Sequence, residues 1–272
     1  METKLNYKRT FLIGLAFLSI CSFWQMYDNI IPLILQNTYH LGETMTGAVM
    51  ALDNVLAIFL LPVFGTLSDK VHTKLGRRMP FIVSGTILAV IFMMLLPMID
   101  NAEKARWGTV ESFSNQVIFL AVLFFTLVSM GLYRSPAVAL MPDVTPNHLR
   151  SRANAVINLM GAVGGVYALI MIKVLVGKGE TPDYLPLFAS IAAVMAIAVG
   201  ILVITIRENK LREEVEKAEA ANAGTIEEKA MAEGVEAVGE IEAVGDTGAV
   251  KASDGKKQTG KTEGTKGMPK EV

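Results

Sequence analysis

MTGAVMALDNVLAIFLLPVFGTL, residues 45–67, holds a single ionisable side chain, Asp53, in 23 positions. At about 1.5 Å of rise per residue a helix over this run is about 35 Å long, enough to cross a hydrocarbon core of about 30 Å. Working outward, five more runs have the same character: Thr10 to Gln36, Met79 to Ile99, Gln116 to Met141, Ala153 to Val176 and Tyr184 to Ile206. With 52% hydrophobic and only 19% charged residues in 272, the chain is too apolar for ordinary soluble domains. The expected fold is therefore all-α and membrane-embedded: a six-helix bundle over 1–206, followed by a polar tail over 207–272.

Charge orients the spans. Lys4, Lys8 and Arg9 precede the first; Lys70, Lys74, Arg77 and Arg78 separate the second from the third. Arg150 and Arg152 separate the fourth from the fifth, and Arg207, Lys210 and Arg212 follow the sixth. About twelve positive charges thus share one side, which the positive-inside bias places in the cytoplasm with both termini. The expected location is the plasma (inner) membrane, with Trp107 and Tyr184 as interfacial aromatics on the outer side. The first run is too long for the apolar region of a signal peptide and has no small-residue cleavage site, so it reads as an uncleaved span.

Past Ile206 the chain changes to 11 Lys/Arg against 15 Asp/Glu. Residues Glu208 to Ala223 read as a short charged helix in which Glu213 and Lys217 are spaced for an i,i+4 pair. The Ala/Gly/Glu and Lys/Gly/Thr stretches beyond are expected to be disordered, because they lack the apolar surface to offset ordering entropy. Gly255, Gly260, Lys261 and Thr262 satisfy the phosphate-loop pattern literally. No strand precedes them and no helix follows, so the match is rejected. Cys21 is the only cysteine, and His40, His72 and His148 lie in or beside loops. No metal, cofactor or nucleic-acid site is expected, and no enzymatic activity.

Ionisable groups inside a span are costly unless they face protein or water. Asp28 lies in the cluster Trp24, Gln25, Tyr27, Asp28, Asn29 and Pro32; Asp53 sits beside Asn54. Both carboxylates fall about 12 Å from the outer end of adjacent antiparallel helices. Two carboxyl groups facing one cavity repel, which suits one of them to carrying a proton. The alternative is that one caps a break at Pro32 or sits in an outer vestibule. Arg134, followed by Ser135 and Pro136, reads either as a snorkelling side chain or as a fixed cation on a pathway. In span five, Gly161 and Gly165 have the spacing of close helix packing, and Asn158, near Asn154, is placed to reach a cavity.

The loop after the second span has the pattern P-x-x-G-x-x-S-D-x-x-x-x-x-x-G-R-R-x-P-F-I, carried by Pro62, Gly65, Ser68, Asp69, Gly76, Arg77, Arg78, Pro80, Phe81 and Ile82. A second block holds Pro136, Ala139, Leu140 and Asp143, then Arg152, Ala153, Asn154 and Ala155. Together they resemble the major facilitator superfamily, in particular the sucrose-proton symporters near the glycoside-pentoside-hexuronide cation symporters. The resemblance covers roughly residues 7–206 and implies half of a twelve-helix fold.

It also implies proton-coupled movement of a sugar-like substrate by alternating access. Trp24, Tyr27, Asp28, Asn29, Asp53, Asn54, Arg134 and Asn158 are the expected pathway residues. Gly65, Ser68, Asp69, Gly76, Arg77, Arg78, Asp143 and Arg152 are the expected cytoplasmic latch. Two positions depart from the relatives: Val138 stands where the sucrose symporters carry an arginine, and Ala57 and Leu61 stand where melibiose-type carriers pair aspartates. Proton coupling is accordingly expected over sodium. The partners implied are the bilayer, the substrate and proton, and a complementary six-helix half. Alternatives are a second copy forming a homodimeric transporter, or a non-transporting anchor or sensor.

Overall fold

Each of the first five apolar runs becomes a helix longer than itself, while the sixth, Tyr184 to Ile206, becomes one trimmed by a residue at each end. The computed structural model describes residues 5–71, 73, 75–106, 113–177, 182–217 and 219–220, and six of its helices are long and apolar enough to cross a membrane. They are α1 (Tyr7–Asn37), α2 (Glu43–Lys70), α3 (Met79–Lys104), α4 (Phe113–Asp143), α5 (Arg150–Leu175) and α6 (Leu185–Thr205). At about 1.5 Å per residue α1 and α4 reach about 46 Å, well beyond the hydrocarbon core. Hydropathy marks only the part of a helix that lies in hydrocarbon. The backbone keeps its own hydrogen bonds into the polar zone, so charged ends such as Tyr7–Arg9 and Asp100–Lys104 remain helical.

Helix boundaries follow local chemistry. Asn6 caps α1 by accepting from the Arg9 amide at 3.3 Å. Prolines stand in the first turns of α3 and α6, where no amide is needed. Pro32, Pro62, Pro97 and Pro136 lie inside helices that nonetheless continue. Asp28 therefore does not cap a break at Pro32.

The core runs along α1, where Ile13, Ala16, Ile20, Phe23, Met26, Ile30, Ile31 and Ile34 are buried against α5 and α6. Contact with α5 is backbone-close. A Cβ on Gly164 would run into the Leu18 main chain, and one on Gly161 would stand 2.9 Å from the Cys21 Sγ. Ser22 Oγ lies between the two helices, 2.8 Å from the Leu18 carbonyl and 2.9 Å from that of Gly164. Gly165 turns away, 3.6 Å from Gln25, so the close pair is Gly161 with Gly164 and not Gly161 with Gly165. At the α3–α4 seam a Cβ on Gly85 would stand 2.6 Å from the Tyr133 amide nitrogen. Helix α2 is different: only Thr46 and Ser68, near its ends, are buried.

The end where α1 and α3 close and α6 begins is tied by a buried acid. Asp100 is fully buried, accepts from Thr38 Oγ1 at 2.7 Å and pairs with Lys104 at 2.6 Å. Lys104 also donates to the Pro182 carbonyl at 2.7 Å and lies 4.4 Å from the centre of the Tyr184 ring. Tyr184 is thus buried under an ammonium group and not displayed to lipid as expected, while Trp107 lies outside the described residues.

After α6 a further helix covers 208–217. Leu211 and Val215 are its buried apolar side chains, and Lys217 pairs with Glu213 at 2.6 Å. By compactness the chain divides into one unit over Met1–Asn222 and a second beyond it. A second unit, Ala223–Val272, lies outside the described residues, as do the phosphate-loop pattern, Lys74 and His72.

Candidate functional site

At mid-depth, α1 presents Trp24, Tyr27 and Asp28 within about one turn. The Trp24 and Tyr27 rings meet edge to face at 5.4 Å, and Phe23 stacks on Tyr27 at 6.1 Å. Helix α4 brings the Arg134 guanidinium over the Trp24 ring at 5.5 Å. Arg134 is half-buried against α1, a geometry that belongs to a cation facing protein and not to a snorkelling one. From α2, Asp53 accepts a hydrogen bond from Asn54 Nδ2 at 2.9 Å.

Two polar atoms in this cluster have no protein partner among the described residues: Trp24 Nε1 and the Tyr27 hydroxyl, both buried. Buried polar atoms are nearly always hydrogen-bonded, and an unmade bond costs about 1–3 kcal/mol. Two such atoms side by side, next to a cation, match a place where a polar ligand or water supplies the missing bonds. Asn29, Asn54 and Asn158 are exposed on helix surfaces. By direct contact the structure groups Trp24, Tyr27 and Arg134; Asp28 follows Tyr27 on α1 and is exposed, Asp53 bonds its neighbour Asn54 on α2, and Asn158 stays on the exposed surface of α5.

The two α4 residues that flank Arg134 hold it there. Tyr133 is fully buried, shares a 2.7 Å hydrogen bond with Ser19 Oγ and lies 3.1 Å from the Ala16 carbonyl, to which it can donate. Ser135 Oγ donates to the Leu61 carbonyl at 2.8 Å. One step of α4 therefore contacts α1 on one side and α2 on the other. Sequence reading singled out Arg134 but not Tyr133, whose hydroxyl carries the tie.

At the end where α2 closes and α3 begins, the loop between them builds an ionic cluster. Arg78, only 5% exposed, binds Asp69 at 2.6 Å through Nη2 and Asp143 at 3.0 Å through Nε, and its Nη1 donates to Ser68 Oγ. Arg77 binds Asp143 at 2.8 Å and Asp69 at 3.6 Å. Burial opposes the charge on Arg77. Its hydrogen bond to Asp143 and the attraction of Asp143, Asp69 and Glu208 outweigh that, so its pKa lies above the usual guanidinium value. Gly76 makes the turn with φ at +123°, a conformation that L side chains rarely adopt.

Glu208, 1% exposed, completes the cluster and was not legible as a site residue. Its carboxylate accepts from the amides of Arg77 at 3.0 Å, Arg78 at 3.0 and 3.1 Å, and Met79 at 3.1 Å. The first turn of α3 has no side-chain cap of its own, so an acid from outside the helix meets its orphan donors and the positive end of its dipole. Arg152 is exposed and outside the cluster. Arg150 reaches inward instead, donating to the carbonyls of Pro142 at 2.9 Å and Thr145 at 3.2 Å.

A bundle of six membrane-length helices with an ionic cluster at one end and a polar pocket at mid-depth defines a multi-pass membrane protein. The chain belongs to the major facilitator superfamily, whose family model matches residues 12–240. It is 34% identical over 116 residues to the sucrose transport protein SUC4 of Arabidopsis thaliana, covering 40% of this chain and 22% of that protein. It is 26% identical over 137 residues to the sucrose transport protein SUT3 of Oryza sativa subsp. japonica, covering 47% and 27%. An uncharacterised symporter of Synechocystis sp. is 24% identical over 144 residues, covering 51% and 25%. The matched stretch spans about a quarter of the length of each of these curated relatives.

Proposed function

We propose that this chain is the N-terminal half of a secondary active transporter that takes up a sugar or glycoside together with a proton by alternating access. The observation that carries the reading is the pair of partnerless buried atoms, Trp24 Nε1 and the Tyr27 hydroxyl, beside Arg134 and Asp28. A hydroxyl-rich ligand offers acceptors to both atoms and to the guanidinium, and a carboxylate inside a span, Asp28 or Asp53, suits a coupling proton. The names of the plant relatives, sucrose transport proteins, support the substrate class. Asn29, Asn54 and Asn158 support a second six-helix unit, because these exposed amides would otherwise face lipid. In this reading both termini are cytoplasmic, in the plasma (inner) membrane, and 1–206 forms the membrane domain ahead of a polar tail.

The test is uptake. In a transporter assembled from this chain and a complementary half, Asp28→Asn should abolish accumulation driven by a pH gradient while leaving substrate exchange partly intact. Unchanged accumulation removes Asp28 from the mechanism. Vesicles holding this chain alone should take up no radiolabelled disaccharide at any pH gradient; uptake there would instead establish a homodimeric transporter.

A further inference from the structure

An apolar groove of about 400 Å3 lies between α3 and α6, lined by Val83, Ile87, Ile91, Ala196, Val199 and Gly200 among others. Its one polar lining side chain, Thr86, is buried and donates to the Ile82 carbonyl at 2.7 Å, so it asks nothing of an occupant. Val203 and Ile204 line both this groove and a second cavity at the end of α6, whose wall includes Arg207 and Lys210. An apolar groove and a cavity walled by two cations thus meet at Val203 and Ile204. Arg212 and Lys217 are ion-paired to Glu216 and Glu213, whereas no ion pair joins Arg207 or Lys210 to a described residue. Glu208, also on that wall, has its carboxylate committed to the amides of residues 77–79.

We infer that the groove and the cavity together are a binding site for an anionic phospholipid, with an acyl chain in the α3–α6 groove and the phosphate between Arg207 and Lys210. The flank is a lipid-facing one: Ile87, Ile91, Ile197 and Ile204 are exposed on it, whereas the exposed mid-depth polar residues lie on α1, α2 and α5. Length and charge then select the occupant. A hydrocarbon chain fills an apolar slot that enters the bilayer core, and basic residues where a transmembrane groove meets the interface take lipid phosphates. Gly200 leaves open space, with no atom within 4 Å of where a Cβ would stand, so the groove floor is unfilled by the protein itself.

Native mass spectrometry of the purified full chain tests this, with dioleoyl phosphatidylglycerol or dioleoyl phosphatidylcholine added to the micelles. The wild-type chain should retain phosphatidylglycerol in preference, and R207A/K210A should reduce that preference at least about fivefold, since a basic residue near the surface contributes about fivefold in affinity. Gly200→Phe, placed in open space, should reduce retention of both lipids, and Lys217→Ala should match wild type. Inorganic phosphate should not displace the lipid, because the groove holds its chain. Equal retention of the two lipids by wild type, an unchanged preference in R207A/K210A, or displacement by phosphate alone would each overturn the site. So would a lipid-independent dimer that Gly200→Phe dissociates, because a second copy would then be the occupant.

Discussion

Replacing Glu208 by alanine should destabilise the bundle more than any other change in the charged segment after α6. The carboxylate receives the amides of Arg77, Arg78 and Met79 at 3.0–3.1 Å and is 1% exposed. A hydrogen bond to a charged group is worth about 1.5–3 kcal/mol, and a buried donor left unpaired costs about 1–3 kcal/mol. The amides share one acceptor, so the terms do not add in full; about 3–5 kcal/mol is expected, near the top of the range for a single substitution. Glu208→Gln keeps one acceptor oxygen and loses the favourable charge at the α3 N-terminus, which should cost about 1–2 kcal/mol. Unfolding midpoints in mixed micelles titrated with dodecyl sulfate would rank the variants. On heating, about 2–4 °C per kcal/mol applies to a chain of this size. Glu213→Ala is the control, because its pair with Lys217 lies in solvent. Equal midpoints for Glu208→Ala and Glu213→Ala would refute the cap.

Gly76→Ala should fail for two reasons, a φ of +123° and a Cβ that would collide with the Glu208 carboxylate; a loss of about 2 kcal/mol or more is expected. Combined with Glu208→Ala its cost should fall, and strict additivity would show that the two do not touch. Tyr133→Phe removes the 2.7 Å bond to Ser19 and should cost about 1–2 kcal/mol, with the indole fluorescence of Trp24 shifting as Arg134 loses its anchor; an unchanged midpoint and spectrum would count against that anchor. Gly164→Val should separate α1 from α5, because the Leu18 main chain occupies the space. Cross-linking of paired cysteines across that seam should drop sharply, and undiminished cross-linking would contradict the contact.

The six spans were legible because hydrocarbon imposes one simple demand on sequence, some twenty apolar residues in a row. Helix ends were not, since that demand stops at the interface while the backbone ladder continues through Tyr7–Arg9 and Asp100–Lys104. Spacing alone could not choose between Gly164 and Gly165 as partner of Gly161: positions three and four apart share a helix face, and the Ser22 bond to the Gly164 carbonyl distinguishes them. Nor could it choose between Arg150 and Arg152. Glu208 left one faint trace, the missing Ser, Thr, Asp or Asn before α3, which meant that its first amides needed an acceptor from elsewhere. The candidate residues Asp28, Asp53 and Arg134 stand out in sequence as charges inside an apolar run, and Trp24 and Tyr27 through their place beside Asp28. Tyr133 carries no such mark, because a buried aromatic resembles any other core residue in sequence.

The distribution of satisfied polar groups also bears on how such a bundle would move. Asp100 ties α1, α3 and the start of α6 at one end; at the other, Arg77, Arg78, Asp143 and Glu208 tie α3 and α4 to the segment after α6. Both knots close within this one chain. Ties made this way hold these helix ends together, which the proposed rocking of one half against another requires. Asp69 is the exception. At 48% exposure it is the most open member of the cluster, and it reaches Arg78 from α2, the helix with least buried surface. If any contact of the cluster is surrendered in the proposed transport cycle it is this one, because Arg77 and Arg78 both keep Asp143. Asp69→Asn should therefore alter transport rates while leaving the unfolding midpoint close to wild type, whereas Asp143→Asn, which strips both arginines of their buried partner, should lower it by about 3–5 kcal/mol. The reverse ranking would place the moving contact at Asp143.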